Sequence, residues 1–224
     1  MGALSFLKGL FYLFFMKHFT ICFIFILCFT LAKAQRNPVC LFGYASNVYK
    51  GDFKSKQGFG NSFLLSLNLN QKKKVSSNLS ARIGSFSAQE LHSKFSNEVV
   101  NYVKTNYLSV NYGLNISLYN YKKFFFVKCT PGIGFMRYAP KTFEGEKLIN
   151  KSNTRKKNES YSNTTLVLPI KFSLEYITKY KVMYEFSAGY LNPRTDYLDN
   201  VSELGESSKK DNVFFVGLAV GVDL

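Results

Sequence analysis

Six ionisable side chains lie in segments where polar and apolar residues alternate: Arg82, Lys128, Lys171, Glu175, Glu185 and Asp223. Three bases and three acids on one face can neutralise one another as ion pairs, and removal from water would make that pairing obligatory. The residue types that carry catalysis are scarce. Past the first 34 residues the chain has a single histidine, His92, beside Glu90, and no HExxH, CxxC or comparable ligand spacing. A GxSxG turn and a glycine-rich phosphate loop are both missing from the sequence. The expectation is a protein without enzymatic activity, metal or cofactor. Basic runs at Lys72–Lys74, Lys122–Lys123, Arg155–Lys157 and Lys209–Lys210 could meet phosphate groups or simply solvate turns.

Elements must position those charges, and composition limits which. The 224 residues include 29 Lys plus Arg, 14 Asp plus Glu, 23 Phe, 15 Tyr and no Trp. Such aromatic enrichment with few charges favours strands and excludes a disordered or collagenous chain. Residues 16–34, MKHFTICFIFILCFTLAKA, have a basic start, an apolar run from Phe19 to Leu31 and small residues at Ala32 and Ala34. That is the layout of a cleavable secretory signal over residues 1–34, with Met16 the expected true start and the cut before Gln35. Its removal takes three lysines and lowers the formal charge from +15 to +12. Secretion argues against nucleic acid as a partner. Of the four cysteines only Cys40 and Cys129 remain, too few for a disulfide framework.

Downstream of the signal, no apolar stretch is long enough for a spanning helix, so any membrane insertion must use strands. Leu108, Val110, Tyr112, Leu114, Ile116 and Leu118 share one face, against Ser109, Asn111, Gly113, Asn115 and Ser117 on the other. The same alternation runs through 164–178 and 212–224, with shorter cases at 39–46, 61–70, 76–86, 124–138 and 182–191. Short links at 71–75, 120–123 and 179–181 alternate with long ones near 47–60, 87–104, 139–163 and 192–211. Residues 35–224 therefore read as an all-β, eight-stranded antiparallel up-and-down transmembrane barrel of the outer membrane. Both termini and the short turns are expected in the periplasm.

In such a barrel the apolar row faces acyl chains and the polar row fills the lumen. Eight strands leave room only for side chains, which makes the six charges a buried plug rather than a solute path. Tyr44, Tyr107, Tyr119, Tyr121, Phe124, Tyr138, Tyr176, Tyr180, Tyr190 and Phe214 fall near strand ends, where aromatic girdles form. Outer-membrane lipid and lipopolysaccharide are the expected surroundings.

The last long link contains Arg194, Thr195, Asp196, Tyr197, Leu198, Asp199, Asn200, Val201 and Ser202. This run resembles the R-T-D-Y-L-D-D-V-S segment of PorG-like outer-membrane barrels of Bacteroidetes, which lies at the same place before the final strand. Asn200 replaces the second adjacent acid of that pattern. The resemblance implies a structural or docking component of the type IX secretion and gliding apparatus. Asp196 and Asp199 are expected to cap turns or pair with Arg194, with a calcium site as the sharper alternative. Two other readings stay open: a small porin or ligand-binding barrel, and a soluble secreted barrel of lipocalin type, for which the Gly-x-Trp signature is missing.

Overall fold

The computed structural model describes residues 38–50, 58–69, 73–89, 102–121, 124–142, 144–148, 162–195, 198 and 211–223. The signal segment with Met16 and Gln35, His92 and the basic runs at 122–123, 155–157 and 209–210 lie outside them. Alternating polarity becomes nine strands: β1 (Val39–Lys50), β2 (Gly58–Leu69), β3 (Val75–Gln89), β4 (Tyr102–Tyr121), β5 (Phe125–Lys141), β6 (Thr164–Val167), β7 (Ile170–Ile177), β8 (Val182–Tyr190) and β9 (Asn212–Asp223).

Each strand pairs antiparallel with its neighbour in sequence, except that β5 takes both β6 and β7. Pairing of β1 with β9 closes the sheet into a ring. Closure leaves no open edge. Strands β6 and β7 are one stave of the wall, interrupted at Leu168 and Pro169, so the nine strands make an eight-stranded barrel. The uninterrupted strand expected over 164–178 is thereby corrected. Proline has no N–H to give the ladder, and the wall continues through bonds from Gly132 N to Pro169 O (2.9 Å) and Leu168 N to Asn192 O (3.1 Å).

The strand ends joined by the three short connections, 70–74, 122–124 and 178–181, lie at one end of the barrel, and those joined by the four longer ones, 51–57, 90–101, 142–163 and 191–211, lie at the other. The first three strands run further toward the long connections than alternation suggested. Ser46 to Lys50 and Gly58 to Gly60 pair regularly there but lack an unbroken apolar row. Gly60 shows why a glycine belongs at that height: a Cβ on it would lie 1.9 Å from the Ser85 carbonyl oxygen.

Period two sorts the side chains. Phe42, Phe63, Ile83, Leu114, Phe135, Phe172 and Leu218 all point outward and are exposed, whereas their neighbours in sequence point into the barrel. A bulge between Ser117 and Tyr119 shifts the phase of β4, turning Leu118, Tyr119 and Tyr121 outward together. With Phe124, Tyr176, Tyr180 and Tyr184 they form an exposed aromatic group at the short-turn end. Tyr107 and Tyr138, expected in the girdle, are instead inside the barrel at 3% and 1% exposure. They occupy the phase of Ser109 and Met136, and strand phase outranks aromatic character.

Candidate functional site: a sealed lumen and its loop-end cap

The lumen is stratified. At the short-turn end Val39, Leu41, Met183 and Ala219 pack together, with Ile177 against them. Above them lie the charges. Lys128 on β5 places Nζ 2.6 Å from Glu175 Oε2 on β7, and both side chains are shielded from solvent. Lys171 on β7 holds both oxygens of Glu185 on β8, at 3.0 and 2.9 Å. Glu175 and Glu185 stand directly opposite each other across β7 and β8. Like charges so placed repel, and the flanking lysines offset that repulsion.

Arg82, on β3, meets the lumen from the far side. Its guanidinium lies 3.8 Å from the Phe215 ring centroid and donates to Ser62 Oγ at 3.0 Å. Glu185 and Tyr107 are close enough to act on it electrostatically. Five of the six charges named from the sequence are thus inside the barrel, four of them in two ion pairs. Asp223 is placed on β9 opposite Val39, but its side chain is outside the described set.

Beside the charges runs a belt of amides and hydroxyls. Thr130 donates to Asn115 (2.6 Å), Asn115 and Asn78 both donate to Asn68 Oδ1 (2.9 and 2.6 Å), and Asn78 also donates to Ser66 (2.6 Å). Higher up, Ser62 donates to Asn47, and Asn47 to Tyr107 OH, each at 3.0 Å. These bonds tie β1 to β5 across the interior. The space left among Arg82, Asn111, Lys171 and Phe215 is about 40 Å³, enough for a water or two but no solute. The bulky inner residues Lys128, Met136, Lys171, Glu185 and Phe215 are all buried. Stable single-channel steps are therefore not expected from the intact protein in planar bilayers; their appearance would show that the lumen opens.

The loop end is closed by an apolar layer of Tyr49, Phe86, Tyr107, Met136, Tyr138, Val167, Leu191, Leu198, Val213 and Phe215, completed by Ala45. Leu198 comes from the long connection before β9 and is fully buried. Its backbone N–H donates to Asp211 Oδ2 at 2.8 Å, and its carbonyl accepts from Thr105 Oγ1 at 2.5 Å. The Tyr49 hydroxyl donates to the other Asp211 oxygen. Asp211 therefore ties a loop residue to the first and last staves, while the Leu198 carbonyl ties it to the fourth through Thr105. Tyr138 OH reaches the Ser162 carbonyl (2.6 Å) and Thr195 Oγ1 (3.4 Å).

Within the family-like segment, Arg194 is exposed, and its N–H extends the wall by donating to Leu166 O at 2.8 Å. Thr195 is at the rim and Leu198 in the cap. Asp196, Tyr197, Asp199, Val201 and Ser202 are outside the described residues, as is the proposed pairing or calcium ligation by the two acids. Asp211 was missed in the sequence. An acid just before the first residue of a terminal alternating strand was the available signal.

Cys40 and Cys129 are free thiols on β1 and β5. Among the described residues no three of His, Cys, Asp and Glu cluster as metal ligands.

A closed eight-stranded barrel, apolar outside and polar within, is the class these features define. No protein-family model matches the chain, and no curated protein does. Solved structures similar to it include Ail, the attachment invasion locus protein of Yersinia pestis, at 14% identity and a TM-score of 0.48 over 85% of this chain and 99% of that one. Neisserial surface protein A is similar at 10% identity and a TM-score of 0.48, over 84% of this chain and 97% of its own. OprG, an outer membrane protein of Pseudomonas aeruginosa, is similar at 11% identity and a TM-score of 0.46, over 85% and 97%.

Proposed function

We propose that the chain is an integral outer-membrane β-barrel without enzymatic activity. Its termini and three short turns face the periplasm, and its four long connections face outward. The observation that carries this reading is sidedness. Large apolar residues are exposed around the ring, from Phe42 and Phe63 through Leu114 and Phe135 to Phe172 and Leu218, while the ion pairs are inside. In water that surface would be a severe liability; in hydrocarbon it is what closure of the backbone ladder permits. A lipocalin-like carrier would need the reverse arrangement, with the apolar row inside.

The protein is expected to fractionate with outer membranes and to shift gel mobility on heating. Release by carbonate or high salt would overturn membrane insertion. Docking to the type IX secretion or gliding apparatus rests on the resemblance of residues 194–202, supported by the way Leu198 anchors that segment at the barrel mouth. Affinity purification from the native outer membrane should enrich components of that apparatus. Recovery of the barrel without them would remove this assignment and leave the barrel reading intact.

A further inference from the structure

One feature of the outer wall is unlike the rest. On β4 the outward residues change from Leu108 to Asn106 to Lys104, and on β5 from Phe135 to Arg137, Ala139 and Lys141. The apolar surface ends at the level of Leu108 and Arg137, which are direct cross-strand partners. Lys104 stands directly opposite Lys141, and Lys141 is bridged in turn to Lys147. Three ammonium groups thus stem from successive positions across the wall, an arrangement that repulsion between directly opposed like charges disfavours. Glu144 and Glu146 lie in the intervening turn, so with Arg137 the local balance among the described residues is four cations to two anions. Beside this column a groove of about 750 Å³ runs along the outside of the barrel, lined by Phe63, Ile83 and Leu108 toward the apolar wall and by Asn106, Arg137 and Lys147 toward the loop end.

We propose that this groove holds the phosphorylated headgroup of an outer-leaflet glycolipid, with its acyl chains against Phe63, Ile83 and Leu108. This inference rests on the outer-membrane reading and on the outward placement of the long connections. Charge complementarity requires an anion, and the apolar lower half, continuous with the lipid-facing wall, requires that the anion carry hydrocarbon. Free phosphate would meet only the upper half. Lys141 lies four positions beyond Arg137 on β5, roughly 13 Å along the strand and past the groove's own lining, so the cations together span a length that suits phosphates on a sugar headgroup rather than a single small ion. The uncharged amides of Asn61 and Asn106, also in the lining, are suited to sugar hydroxyls.

The test uses the full-length barrel purified in detergent, with native mass spectrometry to read bound lipid. The probes are a diphosphorylated lipid A, the same glycolipid without phosphates, phosphatidylglycerol and inorganic phosphate. The intact protein should retain the diphosphorylated glycolipid. The combined Lys104→Gln, Arg137→Gln, Lys141→Gln, Lys147→Gln variant, which removes both cations of the lining and the two beside it, should bind it roughly 10- to 100-fold more weakly. Equal binding by the variant, or equal binding of the dephosphorylated glycolipid, would overturn the proposal. So would equally strong binding of phosphatidylglycerol, or displacement by millimolar inorganic phosphate. Heat-modifiable mobility of the variant keeps the two readings apart: if it persists while glycolipid binding fails, the barrel is intact and the site is judged alone, whereas carbonate release of the unaltered protein would defeat the membrane reading beneath it.

Discussion

Replacing Lys128 with Met is expected to destabilise the barrel by about 3–5 kcal/mol, the cost of stranding a buried charge. Glu175 would lose its cation at 2.6 Å while still directly facing Glu185 across β7 and β8. Two carboxylates would then share Lys171 in a dry interior. Glu175→Gln should cost less, because the stranded Lys128 ammonium keeps the Phe126 ring 5.1 Å away and the repulsion between the two carboxylates disappears. A Lys128→Met, Glu175→Leu double variant should recover much of the loss, since a buried pair exchanged for apolar side chains is often neutral or better. Glu175 makes further contacts, which limits that recovery. Guanidinium titration of protein folded into lipid vesicles provides the measurement, with exposed Lys73→Met as the control. Equal midpoints for Lys128→Met and Lys73→Met would show that the pair contributes nothing to folding.

The face on which each charge lies was legible from period two, because Lys128, Lys171, Glu175 and Glu185 all fall in the phase of small polar residues. Their partners were not. Pairing depends on register, which is set by turn lengths and by strand extensions that alternation does not report: Lys128 pairs with a residue two positions along from the one it directly faces, Ser173. The break at Pro169 could have been anticipated from the missing donor, yet apolar residues on both sides of it continue the pattern and conceal it. Tyr107 and Tyr138 show the opposite failure. Their phase was present in the sequence, but their aromatic character suggested the membrane interface. Inside the mouth a large ring with one hydroxyl serves equally well, filling the taper while the hydroxyl bonds to Asn47 in one case and to the Ser162 carbonyl in the other.

The cap at the loop end was the least legible part, because it depends on a residue returning from a long connection. Leu198 lies in a segment rich in acids and small polar residues, and no periodicity marks it as core. It is held there by Asp211, whose carboxylate accepts from the Leu198 N–H and the Tyr49 hydroxyl in a buried setting. Hydrogen bonds to a charged group contribute about 1.5–3 kcal/mol each. Asp211→Ala should accordingly raise the population of loop-open molecules by roughly 100-fold or more, since each 1.4 kcal/mol is about a factor of ten. The segment 191–211 would then be cut faster by protease added to intact vesicles, while the barrel itself, closed by β1 and β9 independently of the loop, should keep its heat-modifiable mobility. Asp211→Asn, which retains one acceptor oxygen, should fall between the two. Leu198→Ala tests the same cap from its apolar side: the carboxylate bonds remain, but the loss of a buried leucine side chain should cost about 2–5 kcal/mol and open the loop comparably. If both variants leave cleavage unchanged, Leu198 is not what closes the mouth, and the seal must reside in the wall residues Tyr49, Phe86, Tyr107 and Tyr138 alone.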